Sequence, residues 1–310
     1  MTDEYNKSIN ILKNNISYSK LKNELKSLPK DLQISTMTIC FMFNTSLNIM
    51  NISKYLKLDE NIVISIGKRT LIKKNKKKKN TVIKEKKNII IGKKRGRKPK
   101  VKPEVVVKKQ EKKKTFYNQI SLKILVSGKE KDKPVNVKLF NNGSIQMTGC
   151  VTLYDSFDAI INCIKILNTK RYIISNNEII NTPFSKNKLN INDISNYKIA
   201  MINSSFKLPF YINRTKLFNN MLQNNLDTVY DRNVHASVIV KYKYNKNNNT
   251  NKDITILVFE KGSIIITGAN NSEQIKETYQ FTNKYLLENY KEIVNKNINS
   301  LGEISKFLEL

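Results

Sequence analysis

FNNGSIQMTG, at residues 140–149, returns 119 residues later as FEKGSIIITG, at residues 259–268. Phe, Gly, Ser, Ile, Thr and Gly are identical in the two copies. Each copy reads as the end of one strand, a Gly turn, a second strand and a second Gly, followed by a capped amphipathic helix. Solenoid repeats recur every ~20–50 residues. A spacing of 119 residues instead defines two half-domains that pair into one pseudo-symmetric body. A body of that kind matches the local two-fold symmetry of a nucleic-acid duplex.

The flanking sequence extends both copies. In the first half, residues 32–43 (LQISTMTICFMF) are rich in β-branched and aromatic types and read as a buried strand. Ser46 is placed to cap a helix carrying Leu47, Ile49, Ile52, Tyr55 and Leu56, and residues 61–66 form a short strand. Ile120, Leu122, Ile124 and Val126 alternate with polar residues, as do Val135, Val137 and Leu139, and a helix is expected from Asp155 to about Leu167. The second half repeats this order. It has a strand at 197–206, a helix near 216–223, strands at 235–244, 254–260 and 263–268, and a long helix from 272 to about 294. Ile275, Tyr279, Thr282 and Leu286 share one face of that last helix.

The organisation expected is an N-terminal arm over 1–30 (a short helix or a poorly ordered segment) and a first repeat over 31–67 and 115–168. A long polar connection over 169–196, a second repeat over 197–294 and a tail over 295–310 follow. The first repeat is interrupted at 68–114. There 23 Lys and Arg stand against Glu85, Glu104 and Glu111, with almost no apolar periodicity, which is the composition of a disordered insertion.

That segment holds most of the formal net charge of +31 and leaves an excess of 11 for the rest of the chain. The charge points to a polyanionic partner. Within the insertion, Arg95-Gly96-Arg97 resembles an AT-hook, in which an extended Arg-Gly-Arg lies along a narrow A·T minor groove. A nuclear-localisation signal reads the same way.

Together the repeats resemble the TATA-box-binding protein family, over about residues 32–168 and 197–292. The strongest marks are LFNNGSIQMTGC and LVFEKGSIIITGA, each similar to the family's LIFxSGKxVxTGA. KLPF at 207–210 and the tract 230–235 resemble the matching stretches of the family's second half. The resemblance implies an α+β fold, a pseudo-two-fold saddle: one curved antiparallel sheet made by both repeats, with helices on its convex face.

It also implies a set of DNA-contacting residues. Phe140 and Phe259 stand where the family has wedges that enter the base stack, with Tyr117 and His235 as their partners. Thr148 and Thr267 match groove-contacting threonines, Ile265 continues that face, and Gln146 takes the equivalent place in the first half. Lys123 and Lys241 match phosphate contacts. Two central Asn donors of the family are matched to Thr36 and Ile199, a weaker donor and no donor, so a relaxed sequence preference is expected. On spacing alone, the Thr and Ile positions also fit an ordinary sheet; their pairing in two repeats favours the interface.

Other classes find little support. A single histidine, His235, leaves no His-pair metal site, and no P-loop or deaminase pattern is present, so an enzyme and a cofactor are not expected. Cys40, Cys150 and Cys163 show no ligand spacing and read as reduced thiols. The polar start MTDEYNKSIN is not a secretory signal, and no apolar run reaches the ~18 residues a span needs. The expectation is a monomeric, intracellular transcription initiation factor, in a nucleus, viral factory or virion, acting on AT-rich double-stranded DNA. Its partners would be a transcription factor IIB-like protein and RNA polymerase machinery. The alternatives are an architectural DNA-bending protein and a polybasic general nucleic-acid binder.

Overall fold

The computed structural model describes residues 2–67, 69–70, 118–127, 134–169, 172–175, 178–181, 183–245 and 251–295. Two helices come first, α1 (Thr2–Asn15) and α2 (Tyr18–Lys26). The first repeat is β1 (Gln33–Phe43), α3 (Ile49–Tyr55), β2 (Val63–Ile66), β3 (Arg69–Thr70), β4 (Gln119–Ile124), β5 (Val135–Phe140), β6 (Ser144–Cys150) and α4 (Leu153–Leu167). A hairpin of β7 (Tyr172–Ser175) and β8 (Glu178–Asn181) precedes the second repeat. That repeat is β9 (Ile194–Lys207), α5 (Arg214–Gln223), β10 (Thr228–Val229), β11 (Ser237–Asn245), β12 (Asn251–Phe259), β13 (Ser263–Ala269) and α6 (Ser272–Glu288), with a final turn α7 (Tyr290–Ile293).

Among the described residues, one curved, open antiparallel sheet runs β10-β11-β12-β13-β9-β1-β6-β5-β4-β2-β3. Apart from the two-residue β3, the order is five strands from each repeat, mirrored about the β9–β1 pair. The twin motif explains the hairpins. Gly143 and Gly262 adopt φ of 84° and 75°, and their N–H groups close the turns onto the carbonyls of Phe140 and Phe259. A Cβ there would lie 2.3 Å from the Thr45 carbonyl oxygen and 2.5 Å from that of Leu208. Only glycine fits both the backbone and the space.

One face of the sheet is core. Val137, Leu139, Met147, Ile39 and Leu122 from the first repeat, and Val238, Ile254, Val258, Ile264 and Ile266 from the second, have no exposed surface. The helices cover that face. Phe157, Ile160 and Cys163 of α4 are fully buried, and Ile275, Thr278, Thr282 and Leu286 of α6 are buried as well. Thr152 and Asp155 form a capping box at the start of α4, while Asn271 caps α6 and Asn48 and Asn213 cap α3 and α5. The cap of α3 is therefore Asn48, two residues beyond the Ser46 expected from sequence.

Those caps reveal the true register of the repeat. Asn48 and Asn213 lie 165 apart, whereas the twin motif recurs at 119, because the first repeat carries 46 more residues between α3 and β5. The segments at either end of the first repeat also have more structure than the sequence suggested. Ile9, Leu12 and Ile16 of the N-terminal segment are buried, the Tyr5 hydroxyl donates to Asp158 of α4, and Tyr18 packs its ring against Tyr154 and Phe157. Burial pushes the Asp158 carboxyl up, opposed by the Ser127 N–H that it accepts. The polar connection before the second repeat buries Phe184 and Leu189 and contains the β7–β8 hairpin.

Two substitutions check this core. Leu12→Ala should cost roughly 2–5 kcal/mol in urea unfolding, as for a fully buried leucine; an arm that only trails from the domain would show no change. Ser204 has no exposed surface, and its hydroxyl lacks a hydrogen-bond partner among the described residues. Ser204→Ala should therefore raise stability, by on the order of 1 kcal/mol, since an unpaired buried hydroxyl costs about that much.

Candidate nucleic-acid interface

Among the described residues, the face opposite the core carries no helix, and its side chains form rungs across the strands because directly paired residues share a face. One rung of the first repeat runs Lys123, Asn136, Thr148, Thr38 and on to Met201 of β9. Its counterpart in the second runs Lys241, Thr255 and Thr267, then Asn203 and Thr36 of β1. The next pair of rungs is Ser121, Lys138, Gln146, Cys40 against Ile239, Leu257, Ile265, Ser205. Further out, Phe140 pairs with Gln119 and Phe259 with Ser237.

Most site residues expected from sequence thus gather on one surface. Phe140 and Phe259 occupy equivalent half-buried positions at the ends of β5 and β12. Thr148, Thr267, Gln146, Ile265, Lys123 and Lys241 lie on the same face, in the rungs nearer the centre. Phe140, Cys40, Gln146 and Lys198 line a cleft of about 600 Å³ on this face. Burial pushes the Cys40 thiol up, with Lys198 pulling in the other direction. His235 is half-buried just before β11, where its N–H donates to the Asp231 carbonyl at 2.7 Å. Tyr117, Arg95, Gly96 and Arg97 lie outside the described residues.

The centre requires a correction. Thr36 and Ile199 are not equivalent: in the 165-residue register, Ile199 corresponds to Ile34 and Thr36 to Met201. Ile199 pairs with the fully buried Ile39 and packs against the core, so it belongs to the opposite face. A bulge at Ala200 separates it from Met201, which pairs with Thr38. Nor is the centre without an amide. Asn203 pairs with Thr36 across the β1–β9 ladder, donating Nδ2–H to its Oγ1 at 3.0 Å and accepting from Thr267 Oγ1 at 2.6 Å. This chain of hydrogen bonds fixes the amide orientation. A second Nδ2–H and the Thr36 hydroxyl proton remain to donate outward.

The electrostatics separate the two faces. Among the described strands of the large sheet, Asp253 is the single carboxylate, and it pairs across from Lys243 at the rim. Lys123, Lys138, Lys198, Lys207, Lys241 and Lys243 all fall on the helix-free face. Asp155, Asp158, Glu273, Glu277 and Glu288 lie instead on the helices α4 and α6. Lysines in a concave surface with almost no opposing charge attract a polyanion. No group of three or more His, Cys, Asp or Glu suited to a metal occurs among the described residues, and no described helix is long and apolar enough to cross a membrane.

This architecture, two five-stranded halves sharing one saddle, is that of a TATA-binding-protein-like fold. The family profile described as transcription factor TFIID (or TATA-binding protein, TBP) matches residues 196–288. A protein of Acanthamoeba polyphaga mimivirus described as TATA-box-binding protein-like is 33% identical over 313 residues, spanning 94% of this chain and 76% of that protein. The chain belongs to the TATA-box-binding protein family. The solved structure of Methanococcus jannaschii TBP aligns with a TM-score of 0.45 at 12% identity, covering 83% of this chain and 99% of that one.

Proposed function

We propose that this chain is a transcription initiation factor that binds AT-rich promoter DNA in the minor groove and bends it. One observation carries the reading: the helix-free face, with a single carboxylate, presents Phe140 and Phe259 at equivalent ends of a mirrored sheet. The minor groove of A·T pairs shows only acceptors, and G·C adds the N2 amino donor. Asn203 and Thr36 supply donors at the centre, while Ile265 in the second half offers that amino group no acceptor. Aromatic wedges at both ends open the groove at a cost of roughly a few kcal/mol per unstacked step, offset by the larger contact surface that bending brings. Wedge-driven kinking of this kind is the known bending mode of TATA-binding proteins, and Phe140 and Phe259 are the residues proposed to carry it here.

The helices α5 and α6 on the convex side leave Leu222 and Leu287 exposed and are the surface proposed for a transcription factor IIB-like partner and polymerase machinery. In the first half, α1 and α2 already pack on α4, so docking is assigned to the second half.

The double variant Phe140→Ala, Phe259→Ala should keep its fold and lose most of the bend in circular-permutation gel shifts; an undiminished bend in the folded variant rules the wedges out. The insertion is proposed to add phosphate contacts and an AT-hook beside the first half. Deleting residues 73–113 should weaken binding to every duplex and flatten the salt dependence. The slope of log K against log salt should fall by about 0.9 for each phosphate that the insertion neutralises. An unchanged slope would show that the insertion does not touch DNA.

A further inference from the structure

The two halves of the interface are not chemically equal. In equivalent rungs, Ser121, Lys138 and Gln146 of the first repeat stand where the second has Ile239, Leu257 and Ile265. All six are partly exposed on the helix-free face. Lys198 of β9, paired with Cys40, adds a second ammonium to the first-half rung; the corresponding end of the other rung is Gln33 of β1, paired with Ser205, whose hydroxyl bonds that of Ser35 at 2.9 Å. The backbone is mirrored, but at three equivalent positions one half offers a hydroxyl, an ammonium and an amide where the other offers three aliphatic side chains.

We infer that the first half accepts a G·C pair and that the second half excludes it, so the protein recognises a bipartite, polar site rather than a symmetric one. The inference rests on minor-groove binding as proposed above. Gln146 carries both an acceptor and donors. Its Oε1 can take the hydrogen bond of a guanine N2 amino group, while its Nε2, with Lys138 beside it, donates to the cytosine O2 or guanine N3. At the matching place Ile265, flanked by Leu257 and Ile239, offers no acceptor. A guanine amino group there loses its water and gains no partner, which disfavours it. A·T pairs suit both halves, since their acceptors meet the central Asn203 and Thr36 donors.

The mirrored backbone makes the test simple, because the protein can land on a site in either orientation. Affinities are measured by fluorescence anisotropy on three duplexes: all A·T, one G·C pair in one half-site, and one G·C pair in each half-site. One G·C pair should cost less than about threefold, because the protein turns its polar half toward it. Two should cost on the order of tenfold or more, the usual penalty of a mismatched base pair. The double variant Lys138→Leu, Gln146→Ile should raise the one-sided penalty to the tenfold level. The reciprocal variant Leu257→Lys, Ile265→Gln should abolish the two-sided penalty. All four positions are partly exposed, and thermal melting checks that the variants are folded. If the first G·C pair costs as much as the second in the native protein, or if the reciprocal variant gains no tolerance, the inference is wrong. Failure of the parent reading looks different: the all-A·T duplex would then bind no better than single-stranded RNA of equal length.

Discussion

The pairing of β1 with β9 is the contact on which the rest of the molecule depends. Each repeat alone is a five-stranded sheet with β1 or β9 as an open edge, and an unpaired central edge is a row of unsatisfied N–H and C=O groups. The antiparallel ladder from Gln33–Ser205 to Phe43–Ile194 satisfies those groups and sets the mirrored strand order. It also decides which residues meet at the centre. A bulge at Ser35 and another at Ala200 shift the face of each strand, bringing Thr36 opposite Asn203 and Thr38 opposite Met201. A one-residue slip would exchange the two faces of the strand.

From that centre, charge and hydrophobicity divide by face. The strands bring lysines to one side and apolar residues to the other, while the described acids, Asp253 apart, lie off the large sheet. The arrangement leaves a long sheet surface without a helical cover. Large exposed apolar surfaces are an aggregation hazard unless charges or a partner occupy them. Lysines spaced along the rungs serve the first need, and a duplex would serve the second. The convex side, by contrast, is already crowded in the first half by α1 and α2.

Much of this is legible in the sequence, and the exceptions have physical causes. The twin motif marks the two hairpins, because a turn closed onto a neighbouring carbonyl tolerates only glycine and so fixes residues at set positions. Both terminal phenylalanines, the two threonines and Gln146 with Ile265 follow from the 119-residue offset. The central strand does not. Its register follows the 165-residue offset and is broken by bulges, which carry no sequence mark of their own. Sequence matching therefore puts Ile199 on the wrong face and misses Asn203. The capping pair Asn48 and Asn213 is the available signal: aligning on it sets Thr38 against Asn203. The N-terminal helices are under-read because their stripe of Ile9, Leu12 and Ile16 is short and surrounded by Lys and Asn.

Nucleic acid on the helix-free face should shield its lysines, and chemical modification of lysine reads this residue by residue. The protein is treated with a small acylating reagent, alone and with a saturating AT-rich duplex, and each lysine is read by mass spectrometry. Lys123, Lys138, Lys207 and Lys241 should be protected by the duplex, while Lys165 of α4 and Lys284 of α6 react equally in both samples. Protection of the helix lysines with the sheet lysines left reactive would place the duplex on the helical side instead.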